Sequence, residues 1–469
     1  MTSSDCILLV LTLAAIVLLV LLVSRWKVNA FIALVLAALV VGIGAVAMGL
    51  PEVAMKNARW EFGKILTVLR VIEGFQEGMG RTLGSTAAII ALGMMLGKLL
   101  AESGGAEVLA KRFAAFFGPD RVGLCIMALA LVVGLVTWFA VGLLLLLPIL
   151  LTLTRETKKP FLLLAIPLLA CLSVMHGVMP PHPGPVAAIG NLHANMGRVL
   201  MWGFLIGLPV AIVAGPVFAK RAVRLVQVEP PAMPEKSGAL REGRRLPGFG
   251  LTLGSILSPV VLMLIATVSD LILPDGSPVR TFCSFIGNPM LALTLAVLFA
   301  TWSLGIACGC RPAEVLKFTE ECVGTVGMTL LVVGGGGGFA KVLDLCGVSR
   351  AMGGAADLAH LTPLLYGWMV AAFIRVATGS ATVSITVASG LLVPVVAAHP
   401  GVNVELLIVA IGFGSLFLSH LNDGGFWIVK DCLGLTVGQM FRTWTVAETI
   451  IGVCGLILTL GVNAVWQMF

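Results

Sequence analysis

An all-helical, multi-span membrane protein made of two inverted repeats is the fold class this sequence predicts, and three observations carry it. Only 11% of the 469 residues are charged, 59% are hydrophobic, and the mean hydropathy is +1.07, whereas a soluble domain carries about 25% charged residues. Apolar runs long enough to cross a hydrocarbon core of about 30 Å recur along the chain. Residues of the first half recur in the second at a near-constant offset. The 55 glycines against a single tyrosine fit helices that pack closely or are interrupted, not a greasy anchor on a soluble domain. The net charge of +7 comes without a basic face, which excludes nucleic acid as a partner. The excess follows from the Lys/Arg bias of cytoplasmic loops.

Taken in order, the spans fall at about 6–24, 28–50, 121–153, 160–180, 199–219, 250–273, 285–304, 363–398, 403–421 and 444–465. The first is preceded by Asp5 and followed by Arg25 and Lys27, so it reads as a true span and not a signal peptide. Segment 51–81 holds five Lys/Arg and four Glu between short apolar patches and reads as an amphipathic surface helix. Segment 311–322 reads the same way. The loop with Lys220, Arg221, Arg224, Lys236, Arg241, Arg244 and Arg245, broken by Pro230, Pro231 and Pro234, is the one substantial linker. Its charge places it in the cytoplasm. Counting outward puts Arg25, Lys27, Arg155, Lys158, Lys159, Lys430 and Arg442 on the same side and both termini outside. The basic residues of 51–121 are the exception.

A shift of 243 residues superposes Thr82 on Thr325, Gly84 on Gly327, Gly93 on Gly336, Lys98 on Lys341 and Gly104 on Gly347. A shift of 244 superposes His176 on His420, Met196 on Met440 and Arg198 on Arg442, and one of 246 superposes Pro148 on Pro394. The matches run in order along the chain. They divide it into a first repeat (1–221), a cytoplasmic linker (222–248) and a second repeat (249–469). Five crossings in each half turn the second repeat upside down, the plan of many secondary transporters.

Polar interruptions within apolar segments mark where chemistry can sit. Segments 83–117 and 326–359 are broken at Ser103-Gly104-Gly105 and at Cys346-Gly347. Each reads as a re-entrant helical hairpin with arms too short to cross and a tip near the midplane, its second helix aiming N–H groups at an anion. The next span in each half is also interrupted, near Thr137 before Pro148, and at Thr378, Gly379, Ser380 and Thr382 before Pro394. Freed backbone and hydroxyls there suit a polar solute. Arg375, one turn before the second break, must be paired or functional inside a span. The run from His176 to Pro185 contains His182 and four prolines in six residues, so it cannot continue a helix. Its histidines suit a proton carrier or substrate donor. The corresponding Ser419–Trp427 segment adds Asn422 and Asp423, with Asp423 either functional or capping the helix that follows.

Other chemistries lack their signatures. Two histidines alone do not make a metal site, and no cofactor is expected. Ten cysteines are mostly inside apolar runs, with Cys308 and Cys310 the only close pair, so free thiols are expected. Gly334–Gly338 lacks the Gly-Lys-Ser/Thr ending of a phosphate loop and reads as a helix surface packed on its neighbours. An intramembrane hydrolase would need a nucleophile beside a base, and no Gly-x-Ser-x-Gly elbow occurs. A channel is disfavoured by paired hairpins, which suit alternating access.

The stretches HGVMPPHPGP, RTLGSTAAIIALGMMLGKLLAESGGAE, IRVATGSATVSITVASGLLVP, SHLNDGGFW and LTVGQMFRTWTVAETI resemble those of the gluconate:proton symporter (gluconate permease) family, over essentially the whole chain. The resemblance implies a bacterial inner-membrane carrier of the ion-transporter superfamily, not an enzyme. It implies uptake of gluconate or a related small hydroxy acid with protons, a homodimer and an elevator motion. Relatives carrying idonate, D-serine or other sugar acids are equally compatible. One departure concerns the first broken helix, where the family's pattern has a carboxylate and this chain has Ala140. Coupling then passes to His176, His182 or Asp423, or the chain is an uncoupled variant.

Overall fold

Two apolar helices, α1 (Ser3–Ser24) and α2 (Ala30–Ala47), pack against each other, and Asn29 caps α2 by accepting from the Phe31 amide at 2.9 Å. On α1, Ile7, Val10, Leu13, Val17 and Leu21 remain exposed. Their three- and four-residue spacing makes one apolar stripe suited to lipid contact. The computed structural model describes residues 3–48, 68–231, 245–348, 351 and 361–468. Among them there is no strand, and eleven helices are long and apolar enough to cross a membrane.

The first half continues with α3 (Val68–Glu102), α4 (Gly105–Phe117), α5 (Val122–Gly134), α6 (Phe139–Thr157), α7 (Phe161–Val178) and α8 (Pro183–Leu192). Next comes α9 (Met196–Ile212), which passes through a π-helical turn at 213–217 into α10 (Phe218–Leu225). The second half holds α11 (Phe249–Ile272), α12 (Pro278–Ile286), α13 (Pro289–Ala300), α14 (Pro312–Leu345), α15 (Pro363–Thr378), α16 (Ala381–Ala398) and α17 (Val404–Gly414). It ends with α18 (Gly424–Leu433), α19 (Val437–Arg442) and α20 (Trp444–Trp466).

Three readings of the sequence need correction. Residues 68–81 and 312–322 are not separate surface helices but the first turns of α3 and α14. At 35 and 34 residues these helices run about 50 Å, so the first arms of the two expected hairpins are more than long enough to cross. Some of the charges on these two long helices are paired. Arg70 meets Glu73 at 2.9 Å, and Lys98 bridges Glu102 at 2.8 Å and Glu321 of α14 at 3.1 Å. Residues 51–67 of the expected surface helix, linker residues 232–244, and 349–350 and 352–359 of the second hairpin lie outside the described residues. The expected span at 403–421 is also shorter, with α17 ending at Gly414 and turns following.

The most extensive helix contact joins α3 to α14. It is possible because glycine lets the two backbones approach. At Gly78 an added Cβ would strike the Gly337 carbonyl, and at Gly337 it would strike the Thr82 side chain. The rest of the Gly334–Gly338 run faces neighbours too: Gly335 faces Phe31 of α2 and Gly336 faces Thr386 of α16. The run is the packing surface that the sequence suggested. Deepest in the molecule are α7 and α8, a stretch 89% buried, with α8 against α16 and α7 against α5.

The α3–α14 contact gives a direct test. Gly78→Ala overpacks it and is expected to cost about 1–3 kcal/mol, read as a lower melting temperature in detergent. Gly80→Ala, on the same helix with nothing within 4 Å of its Cβ position, is expected to be neutral or slightly stabilising.

Candidate functional site

The site forms where two helices stop inside the protein. A helix end leaves carbonyls and N–H groups without partners, and in a membrane interior no bulk water replaces them. α15 ends at Thr378; Gly379 then takes a left-handed conformation (φ 73°), and Ser380 starts α16 by accepting from the Val383 amide at 3.3 Å. The freed carbonyls of α15 are closed by the segment before α18. Asn422 Nδ2 donates to Val376 at 2.7 Å and to Ala377 at 3.2 Å, and His420 Nε2 donates to Val376 at 2.9 Å. A Cβ at Gly379 would run into the Asn422 carbonyl, so this contact requires glycine for both space and φ.

Arg375 and Asp423 lock the same junction. The Arg375 guanidinium, 4% exposed, donates to the Gly379 carbonyl and to Asp423 Oδ2, each at 2.5 Å. Asp423 also accepts from the Ser419 hydroxyl, and its Oδ1 accepts from the Gly425 amide at 2.7 Å, capping α18. Ser419 in turn accepts from Trp444 Nε1 at 2.7 Å. Asp423 is therefore both a cap and the partner of the buried arginine. The first interruption, between α5 and α6, has its own closure. His182 Nε2 donates to the Gly134 carbonyl at 2.7 Å, and the Thr137 hydroxyl donates to Val133 at 2.8 Å.

Between the two interruptions lies a cavity of about 320 Å³, within the range of small-ligand sites. Three helix N-termini open onto it: Phe139 and Ala140 of α6, Ser380 to Thr382 around the start of α16, and Gly424 and Gly425 of α18. Helix N-termini carry partial positive charge and free N–H groups, so their convergence favours an anion. Arg375, Asp423, His176 and Glu448 also line the cavity. An adjoining cavity of about 170 Å³ shares Trp138, His176, Ser380 and Thr382 and reaches Pro183 of α8 and Thr329 of α14. Several polar atoms here have no partner within the protein: Arg375 Nε, His176 Nδ1 and both carboxyl oxygens of Glu448. Buried polar atoms are nearly always hydrogen-bonded, so such a cluster on one cavity suits a polar ligand.

The residues named from the sequence thus divide into three groups. His176, Gly379, Ser380, Thr382, Asp423 and the Ala140 position line the larger cavity. Thr137, His182, Thr378 and Asn422 stand behind it and close helix ends, with the Thr378 hydroxyl donating to Ile374 at 2.8 Å. The hairpin-tip residues line neither cavity. Ser103 donates to Leu100 and accepts from the Gly105 amide, a Cβ at Gly105 would meet Thr252 of α11, and Cys346 is buried. The helix starts that face the cavity belong to α6, α16 and α18 instead. Sequence reasoning passed over Glu448, although it is the one acidic residue in α20. Among the described residues no group of three or more His, Cys, Asp or Glu is placed to hold a metal.

The buried ion pair is testable. Asp423→Asn leaves Arg375 without a counter-charge and is expected to cost about 3–5 kcal/mol of stability. Adding Arg375→Gln should recover part of that loss in a thermal unfolding assay. Additive losses in the double variant would show that the two side chains do not act as a pair.

Residues 7–465 match the family described as GntP family permease. The chain is 40% identical over 467 residues to a gluconate permease of Zymomonas mobilis, with 99% of each chain covered. It is 40% identical over 459 residues to a gluconate permease of Pseudomonas aeruginosa, covering 98% of each. It is also 38% identical over 457 residues to the Gnt-II system L-idonate transporter of Escherichia coli, covering 97% of this chain and 99% of that one. Among solved structures, the fold is similar to that of the YdaH transporter of Alcanivorax borkumensis, with a TM-score of 0.62 at 13% identity. That alignment covers 93% of this chain and 98% of the other.

Proposed function

The chain belongs to the GntP permease family, and we propose that it imports gluconate, or a closely related small hydroxy acid, in symport with protons. It is a multi-pass membrane transporter and not an enzyme. The observation that carries the substrate reading is the convergence of three helix N-termini on one cavity. A monovalent carboxylate fits the N-termini and the Ser380 hydroxyl, and its own hydroxyls fit Thr382 and Ser173, which line the same space. Relatives named gluconate permeases support gluconate, while the L-idonate transporter relative keeps its epimeric neighbours in view.

Transport proceeds by alternating access between two inverted repeats, 1–221 and 249–469, joined by 222–248, with an elevator-type displacement of the cavity. The ordered sequence offsets support this reading, as do the matched interruptions α5/α6 and α15/α16. The resemblance to the symporter family adds a homodimer in the bacterial inner membrane, with both termini outside. In the hairpins, Ser103, Gly104, Gly105, Cys346 and Gly347 then serve the movement between scaffold and carrier, not contact with substrate. Proton coupling falls to groups on the cavity, with His176 and Asp423 the candidates named from the sequence and Ala140 unable to carry a proton.

Uptake of labelled gluconate into proteoliposomes tests the reading. With one proton per substrate, an inward proton gradient of one pH unit should drive roughly tenfold accumulation, abolished by a protonophore. Equilibration without accumulation would mean an uncoupled carrier. Ser380→Ala, which removes a donor to a charged group, is expected to weaken gluconate binding about tenfold. Competition by idonate and D-serine in the same assay ranks the alternatives.

A further inference from the structure

Glu448 is a buried carboxyl that forms no ion pair among the described residues. It sits on α20, is 1% exposed, and lines the same cavity as Arg375, Asp423 and Ala140. The Ser173 hydroxyl lies beside it, but neither carboxyl oxygen has a well-formed hydrogen bond within the protein. Ionised carboxylates left unpaired in an apolar interior are strongly disfavoured, and the usual remedy is to bind a proton. The other acid on the cavity has no such freedom. Asp423 already accepts from Arg375, Ser419 and the Gly425 amide.

We propose that Glu448 is the site that binds the coupling proton, and that proton and organic anion occupy the cavity together. The proposal rests on the symport reading above. Arg375 and Asp423 cancel each other. An ionised Glu448 would leave the cavity with a surplus negative charge facing an incoming carboxylate, and a protonated one leaves it neutral. Each ligand therefore favours the other, and by linkage the gain is reciprocal. The protonated carboxyl also becomes a donor, which an anionic or hydroxylated substrate can accept.

The groups around Glu448 are consistent with this role. His176 of α7, Arg375 of α15 and Asp423 at the start of α18 share its cavity. Charging His176 would add a second cation beside Arg375. The remaining ionisable groups on elements packed against α20 do not line the cavity: Arg198 of α9, Glu405 of α17, Tyr366 of α15, Cys171 of α7, Lys430, Asp431 and Cys432 of α18, and Arg442 of α19.

The experiment compares the wild-type chain with Glu448→Gln and Glu448→Asp in proteoliposomes. The glutamine variant is expected to exchange internal for external gluconate while its accumulation in response to a pH gradient falls to unity. Its gluconate affinity should no longer change with pH. The aspartate variant, which keeps a carboxyl, should retain coupling. In the wild-type protein a hydrophobic carbodiimide, which attacks protonated carboxyls in apolar surroundings, should label Glu448, and gluconate should slow the labelling. This measurement does not depend on the variants folding. A glutamine variant that still accumulates gluconate, or labelling at Asp423 in place of Glu448, overturns the assignment while leaving symport intact. A wild-type chain that does not respond to the gradient overturns the symport reading and this proposal with it.

Discussion

The structure depends on how a helix can stop inside a membrane. Each interruption frees carbonyls and N–H groups that hydrocarbon cannot satisfy. In the second half, the Ser419–Gly425 segment solves this by supplying Asn422 and His420 to the end of α15, while Asp423 holds Arg375 against the Gly379 carbonyl. In the first half, His182 does the same for Gly134. The two ends of each broken helix then behave oppositely. The C-terminal carbonyls are closed by neighbouring side chains, while the N-termini that follow remain open to the cavity. Free N–H groups gathered on one cavity favour an anion there.

Rigidity and polarity are arranged around the same point. α3 and α14 meet through glycines, and α14 also borders the smaller cavity through Met328, Thr329 and Val332. The long helices that carry the packing thus also form part of the site's wall. α7, the most deeply buried helix, contributes Ser173 and His176. Of the buried polar atoms without a partner, those of Arg375, His176 and Glu448 belong to residues that line the cavity. A solute with a carboxylate and several hydroxyls complements such a surface better than an apolar one does.

Much of this was legible in the sequence because glycine, proline and serine mark interruptions by their backbone chemistry. Gly379 and Ser380 lie where a left-handed residue and a helix cap are needed. Only residues 179–182 of the proline-rich run separate α7 from α8, because Pro183 and Pro185 fall in the first turn of α8, where proline is tolerated. The charges of 68–81 and 312–322 suggest separate surface helices, but these residues continue without a break into the apolar stretches of α3 and α14, and Glu321 reaches Lys98 of the other helix. Such pairs are invisible until tertiary packing is known. The same holds for the site. Arg375 and Asp423 stand 48 residues apart, and Glu448 reaches the cavity from the last helix. No local pattern shows that they meet, although an acidic residue within an otherwise apolar span is itself a signal.

The central claim is that the anion sits against the starts of α6, α16 and α18. A structure determined with gluconate bound tests it most directly. The carboxylate is expected within hydrogen-bonding distance of Ser380 and the amides that begin those helices, with the hydroxyls toward Ser173 and Thr382. Density for gluconate at the Gly104 or Gly347 turn, with the cavity around Arg375 empty, would contradict it.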